Sequence, residues 1–118
     1  MSDPDLRQTL SAALRTAMKA RDDTATSALR SALSAIDNAE AVDVSEAPVP
    51  GRGPIAGAVL GVGAAEAPRR ALSAAEVVAI VQSDIDERLT AAEEYDDLGR
   101  VEEAARLRAE AAVLAKYL

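Results

Sequence analysis

Cysteine, histidine, tryptophan and phenylalanine are absent from this chain of 118 residues. Without Cys there is no disulfide, thiolate metal site or cysteine nucleophile, and without His the commonest general base and metal ligand is missing. We therefore expect no catalytic residue, no metal and no cofactor. No apolar run approaches the ~20 residues that span a bilayer, and the acidic start of the chain is unlike a signal peptide. The sequence predicts a cytoplasmic protein that does not contact a membrane.

Negative charge is concentrated in the second half of the chain. The formal net charge is -7, and residues 73–118 hold eleven acids against five bases, whereas residues 1–42 hold six against five. Binding to a nucleic-acid backbone requires Lys and Arg to neutralise phosphates, so the acidic half would repel RNA. Eleven of the thirteen bases are Arg and Ala is abundant, which is typical of a GC-rich bacterial gene.

Residues 1–41 predict two helices. Asp3 is a suitable N-cap and Pro4 suits the first helical position. Asp22 and Asp23 provide a break and a second cap, and so short a connection places the two helices side by side and antiparallel. Apolar residues recur at spacings of three and four in both helices. The two predicted buried stripes are Leu6, Leu10, Ala13, Leu14 and Ala17, and then Ala25, Leu29, Ala32, Leu33 and Ile36, with the second helix ending near Ala41.

Residues 42–72 are predicted to form a long connector, because nine Gly and Pro residues rule out a continuous helix. The connector includes the stretch IAGAVLGVGAA, which is more apolar than a typical solvated linker. Two interpretations remain open. The stretch either docks onto a partner or a second copy, or it fills the groove between the helical hairpins. The partner-binding candidates are Ile55, Val59, Leu60 and Val62.

Residues 73–118 predict a second hairpin. Ser73 and Glu76 form a capping box at the start of its first helix, and Gly99 ends that helix. The predicted buried stripes are Val77, Val78, Val81, Ile85, Leu89, Ala92 and Tyr95, and then Val101, Ala104, Leu107, Ala111, Leu114 and Leu118. We therefore expect an all-α fold of four main helices, arranged as two antiparallel hairpins and a connector within a single domain, residues 1–118.

Several short motifs occur in a characteristic order along the chain. They are Ala-Met-Lys-Ala-Arg-Asp at 17–22, Leu29-Arg30, Ile36-Asp37-Asn38-Ala39-Glu40, Leu-Ser at 72–73, Glu94-Tyr95 with Gly99-Arg100, and the closing run Leu114 to Leu118. In this order the motifs resemble the GatB/YqeY family. This family comprises YqeY-like proteins and the helical C-terminal part of GatB, a subunit of the glutamine-dependent amidotransferase that makes Asn-tRNA and Gln-tRNA.

The resemblance implies a helical domain linked to carbon–nitrogen ligase activity with glutamine as amido-N-donor. In GatB the transfer chemistry resides in a separate domain with no counterpart here, so we expect no such activity from this chain alone. YqeY-like proteins usually continue beyond the equivalent of Tyr117 and Leu118 into a small tail domain, similar to the tRNA-contacting tail of GatB. This chain stops there, and its connector is longer than the family's short loop.

Two sets of charged residues are candidates for a site. The first set comprises the bases Arg15, Lys19, Arg21 and Arg30, which form an RNA-facing patch if the resemblance holds. In the alternative interpretation, Arg15 and Lys19 balance the helix terminus and Arg30 pairs with an acid on a neighbouring helix. The acids Asp84 with Glu87, or Glu93 with Asp97, are the possible carboxylate pairs. Acids on an exposed helical face are usually solvating charges, which is the interpretation we favour for these.

Two functional hypotheses follow. The first is a non-catalytic module that acts by binding a protein partner or a second copy. The alternative is a tRNA-binding accessory protein that uses the bases of the first hairpin, which the acidic total charge disfavours.

Overall fold

The computed structural model describes residues 5–45 and 71–118, which form four helices and no strand. The all-α prediction is thereby confirmed. None of the described helices is both long and apolar enough to cross a membrane. Most of the predicted connector lies outside the described residues, and so do all four partner-binding candidates. These candidates are Ile55, Val59, Leu60 and Val62. The helices are α1 (Leu6–Ala20), α2 (Asp23–Ser45), α3 (Ala74–Asp97) and α4 (Val101–Ala115).

The start of α1 differs from the prediction. Asp5, not Asp3, is the N-cap, because its backbone is extended and its Oδ1 accepts a hydrogen bond from the N–H of Gln8 at 2.8 Å. The helix begins at Leu6, and the predicted cap Asp3 and predicted first helical residue Pro4 lie outside the described residues. Both aspartates are suitable caps by residue type, so the sequence pattern could not distinguish them.

The other helix starts follow the prediction. Asp22 caps α2, where its Oδ1 accepts the N–H of Ala25 at 3.0 Å. Ser73 and Glu76 form the capping box of α3: the Glu76 N–H donates to Ser73 Oγ at 3.0 Å, and the Ser73 N–H donates to Glu76 Oε1 at 2.8 Å. The end of α2 lies at Ser45, beyond the predicted end, since no Gly or Pro occurs earlier to stop the helix.

Schellman motifs end α1 and α3. In the first, Arg21 adopts a left-handed conformation with φ 58°, and its N–H and that of Asp22 donate to carbonyls of the last turn. In the second, Gly99 has φ 77°, and its N–H and that of Arg100 do the same. Glycine adopts this conformation readily, whereas Arg at the equivalent position is strained.

The chain divides into two compact units, one formed by Met1–Ile36 with Ser73–Leu118, the other by Asp37–Leu72. In the first unit α3 packs against α4 and, over a smaller area, against α1. Seven of the thirteen buried apolar residues among those described are Ala, so each removes little surface from water. Polar contacts inside this unit therefore contribute a larger share of its stability. The largest fully buried side chains are Leu10, Leu29, Ile36, Val81 and Leu114.

Four residues predicted to lie in the buried stripes are exposed instead: Val78, Leu89, Val101 and Leu118. Val78 and Leu89 are eleven residues apart, about three helical turns, so both lie along one edge of the α3 stripe. Val101 is the first residue of α4, and Leu118 lies beyond its last. Periodicity identifies the direction of a stripe but not its width or its ends.

Candidate functional site

A cluster of charged side chains lies inside the first unit, between α2, α3 and α4. At its centre, Arg88 Nη1 donates to Asp84 Oδ1, and Arg88 Nε donates to Glu110 Oε1 at 3.2 Å. The Ser31 hydroxyl donates to Asp84 Oδ2 at 3.1 Å and accepts from Arg88 Nη1 at 3.4 Å. Only 9% of Asp84 and 5% of Glu110 is exposed. Arg106, at the surface, approaches the second Glu110 oxygen at 3.5 Å.

The cluster satisfies its own hydrogen bonds. Among the described residues, no buried side-chain nitrogen or oxygen lacks a partner. A buried carboxylate needs a cation and good geometry to offset its lost hydration, and the guanidinium of Arg88 serves both carboxylates at once. No group of three acids in the described part of the chain is placed to hold a metal ion. The geometry of the cluster is therefore that of a structural contact, which joins α2, α3 and α4.

The prediction that the acids of α3 are solvating charges is wrong for Asp84. It lies on the inner side of the helix, next to the buried Ile85 and three residues after the buried Val81. A base four residues later, Arg88, was the available sequence signal, but the second carboxylate comes from a different helix. The other three nominated acids are exposed as expected: Glu87, Glu93 and Asp97.

The four RNA-binding candidates are all exposed, and none forms an ion pair with another described residue: Arg15, Lys19, Arg21 and Arg30. The expected pairing of Arg30 with an acid is wrong, because its Nη2 contacts the sulfur of Met18 at 3.8 Å. In contrast, every Arg described from residue 73 onwards is paired with a carboxylate: Arg88, Arg100, Arg106 and Arg108. The unpaired arginines thus lie on α1, on α2 and in the turn between them.

A cleft of about 310 Å³, here called the α1 cleft, opens along the C-terminal half of α1. Asp22 is its one acid, and that carboxylate already caps α2. Lys116 lies in the wall, while Lys19 and Arg21 adjoin the wall residue Ala20 in sequence. The fold brings Tyr117 and α1 together from opposite ends of the chain, a contact that no local pattern in the sequence indicates. The cleft is lined by Ala13, Thr16, Ala17, Ala20, Asp22, Ala25, Leu29, Val113, Lys116 and Tyr117.

The connection between α3 and α4 presents two apolar side chains to solvent. Leu98 is 71% exposed and Val101 is 66% exposed. We call residues 98–101 the apolar turn. Its neighbours in sequence, Asp97 and Glu102, are exposed acids that form no ion pair with another described residue. The sequence had suggested that Val101 is buried and had not singled out Leu98.

Side-chain contacts fix this turn on both sides. The guanidinium of Arg100 lies 5.5 Å from the centre of the Tyr95 ring, and its Nη2 donates to Glu103 Oε2 at 2.7 Å. A hydrogen bond from the backbone, followed by the one from Arg100, lowers the pKa of the Glu103 carboxyl. Across the two helices, Arg108 Nη2 donates to Asp96 Oδ2 at 2.6 Å, and this bond raises the pKa of Arg108. Leu98 and Val101 are therefore held on an ordered scaffold.

No protein-family model, curated protein or solved structure matches this chain. The resemblance to the GatB/YqeY family thus stays a prediction from the motifs.

Proposed function

We propose that this chain is a non-catalytic helical module that acts by binding protein. The apolar turn carries the proposal, because Leu98 and Val101 stand in water on an ordered connection. Burying a side chain of this kind at an interface contributes about 1.5–3 kcal/mol, so the turn has the character of an anchor for a partner. The buried Arg88 cluster is consistent with a non-catalytic role, since its polar groups hydrogen-bond to one another within the fold.

The proposal extends to family and architecture. We assign the chain to the GatB/YqeY type, as a cytoplasmic bacterial protein of one domain built from two antiparallel hairpins. Its link to glutamine-dependent carbon–nitrogen ligase activity is one of descent. The order of the sequence motifs along the chain supports the assignment to the GatB/YqeY type. The ion pairs Arg88–Glu110 and Asp96–Arg108 support the second hairpin, because rising numbers on α3 meet falling numbers on α4.

Capture from a cell extract tests the proposal. Tagged wild-type chain is compared with Leu98→Ser/Val101→Ser and with the control Leu89→Ser, which removes an exposed apolar side chain elsewhere. We expect a protein, including a second copy of the chain, to be retained by the wild type and the control and lost with the double variant. Equal retention by all three would contradict the proposal. So would glutamine-dependent turnover by the purified chain.

tRNA binding is a second candidate, favoured by the unpaired bases of α1, of α2 and of the turn between them. Four cations that form no ion pair with a described residue can each neutralise a phosphate, and Tyr117 in the α1 cleft supplies a ring on which a base could stack. The acidic net charge of -7 acts against it. The two candidates therefore predict different responses to salt and to charge removal.

The variant for this test replaces the four unpaired bases by Gln: Arg15→Gln, Lys19→Gln, Arg21→Gln and Arg30→Gln. If all four contact phosphates, wild-type affinity for tRNA should fall ~150-fold between about 50 mM and about 200 mM salt, from a slope of about -0.9 per contact, and the variant should lose this dependence. The control neutralises three paired arginines, Arg100, Arg106 and Arg108, and should bind like the wild type. Absence of binding at low salt would end this candidate.

A further inference from the structure

We infer that a second copy of this chain binds the apolar turn: Leu98 and Val101 of one copy enter the α1 cleft of another. The inference rests on the proposed function, because it names the partner of the same surface. Three properties of the described residues support it, namely the size of the cleft, the charges around both surfaces and their positions at the two ends of α4.

The α1 cleft has the size and lining that the apolar turn requires. A cavity of about 150 Å³ holds a benzene molecule, so the cleft of about 310 Å³ accommodates two aliphatic side chains. Its α1 wall is formed largely by Ala, whose small side chain lets another backbone approach closely. Val113 and the ring of Tyr117 are half-buried and provide apolar contact surface in the cleft, whereas the lining residue Leu29 is fully buried.

The charges around the two surfaces are opposite. Asp97 and Glu102 adjoin the two apolar residues of the turn, and neither is paired with a described residue. Lys116 lies in the wall of the cleft, and Lys19 and Arg21 flank the wall residue Ala20 in sequence. None of these three bases forms an ion pair with a described residue. Asp22 opposes them, because a carboxylate that accepts the N–H of Ala25 keeps its negative charge, but the three bases outnumber it.

This electrostatic attraction acts at short range. It operates within a Debye length of about 8 Å at physiological salt. Added salt should therefore weaken the association of the two copies without abolishing the apolar contact.

The two surfaces lie at opposite ends of one helix. The apolar turn precedes α4 and the cleft includes residues that follow it, so the 15 residues of α4 separate them by about 22 Å. A contact between different surfaces of identical copies is heterologous, and it forms open chains or closed rings. The average mass should therefore continue to rise with concentration beyond the dimer unless a ring closes.

Sedimentation equilibrium with two complementary variants tests this contact. Leu98→Ser/Val101→Ser disables the turn and leaves the cleft, whereas Thr16→Glu places a carboxylate in the cleft and leaves the turn. All three positions are exposed, so the variants should keep wild-type circular dichroism. Thr16→Gln, of the same size without the charge, is the matched control and should associate like the wild type.

We expect the wild type to self-associate and each disabled variant alone to do so at least about tenfold more weakly. An equimolar mixture of the two variants should form a 1:1 complex and nothing larger, because each copy then offers one working surface. A wild type that stays monomeric at several hundred micromolar, or a mixture that fails to form the complex, would overturn the inference.

Two further outcomes separate the competing explanations. If the wild type is monomeric and Lys116→Gln weakens tRNA binding, the bases beside the cleft serve RNA and the inference is wrong. If the chain is monomeric but a different protein is captured through Leu98 and Val101, the inference fails and the proposed function stands. Glutamine turnover by the purified chain would overturn the proposed function, whatever the mass of the assembly.

Discussion

Replacing Arg88 by Met should be severely destabilising. The substitution keeps an unbranched apolar side chain in place of the aliphatic part of Arg and removes the guanidinium, which leaves the carboxylates of Asp84 and Glu110 buried without the cation between them. Breaking a buried ion pair from one side costs about 3–5 kcal/mol. A small domain is stable by only about 5–15 kcal/mol, so this loss removes a large part of the total.

Urea denaturation followed by far-ultraviolet circular dichroism measures the effect. With a slope of about 2 kcal/mol per molar urea, a loss of ~4 kcal/mol lowers the transition midpoint by about 2 M. Arg106→Gln is the control, because this arginine is largely exposed and its pair with Glu110 should contribute less than about 1 kcal/mol. A loss below about 1 kcal/mol for Arg88→Met would refute the reasoning, since it would mean that both carboxylates remain hydrated.

A second variant distinguishes the effect of an unpaired buried charge from the effect of lost packing. Asp84→Leu, Arg88→Met and Glu110→Leu together, with Ser31→Ala, replace the whole cluster by apolar groups. Such replacements are often neutral or stabilising by about 1–4 kcal/mol, because no charge is left to desolvate. We therefore expect the fourfold variant to be at least as stable as the wild type and far more stable than Arg88→Met alone. If it is as unstable as the single variant, lost packing rather than an unpaired charge explains the effect.

The remaining predictions concern helix ends and acid. Arg21 and Gly99 both have positive φ, a conformation that is strained for any residue with a Cβ. In urea denaturation, Arg21→Gly should therefore stabilise the chain by about 1 kcal/mol and Gly99→Ala should destabilise it by about 1–2 kcal/mol. A Cβ added at Gly99 meets no atom within 4 Å, so backbone strain alone accounts for the second effect. Ser73→Ala should cost about 1 kcal/mol by the same measurement, through loss of the capping box. The pKa of the Glu103 carboxyl is lower in the folded chain than in the unfolded chain. The charged Glu103 therefore stabilises the fold at pH values above its unfolded pKa, and this stabilisation is lost as the pH falls through its folded pKa. Glu103→Gln should accordingly reduce the fall of the urea midpoint in acid.

The local features of this fold were predictable from the sequence. The capping box at Ser73, the stop at Gly99 and the cap at Asp22 each depend on residues within a few positions of one another, and the structure confirms all three. The start of α1 was misplaced because Asp3 and Asp5 carry the same capping group. Local signals identify that a helix begins, but two equal caps leave its first residue open.

The non-local features were not predictable. The ion pair between Arg88 and Glu110 joins helices whose relative rotation the pattern does not fix, so the sequence predicts a solvated carboxylate at Asp84 and gives no signal for Glu110. In the same way, nothing near α1 in the sequence indicates that Tyr117 shares a cleft with it. Lys19 and Arg21 are nominated by their residue type alone, whereas neither Lys116 nor Tyr117, which line the cleft, carries a local signal in the sequence.

The scarcity of aromatic residues gives this protein an optical property of its own. Without Trp, its ultraviolet emission comes from two phenols. Tyr95 lies beside the guanidinium of Arg100 at one end of α4, and Tyr117 lies in the cleft at the other. Each end therefore carries an intrinsic fluorophore, and Tyr95→Phe would leave only the one at Tyr117. Occupancy of the cleft could then be followed in solution without attaching a dye.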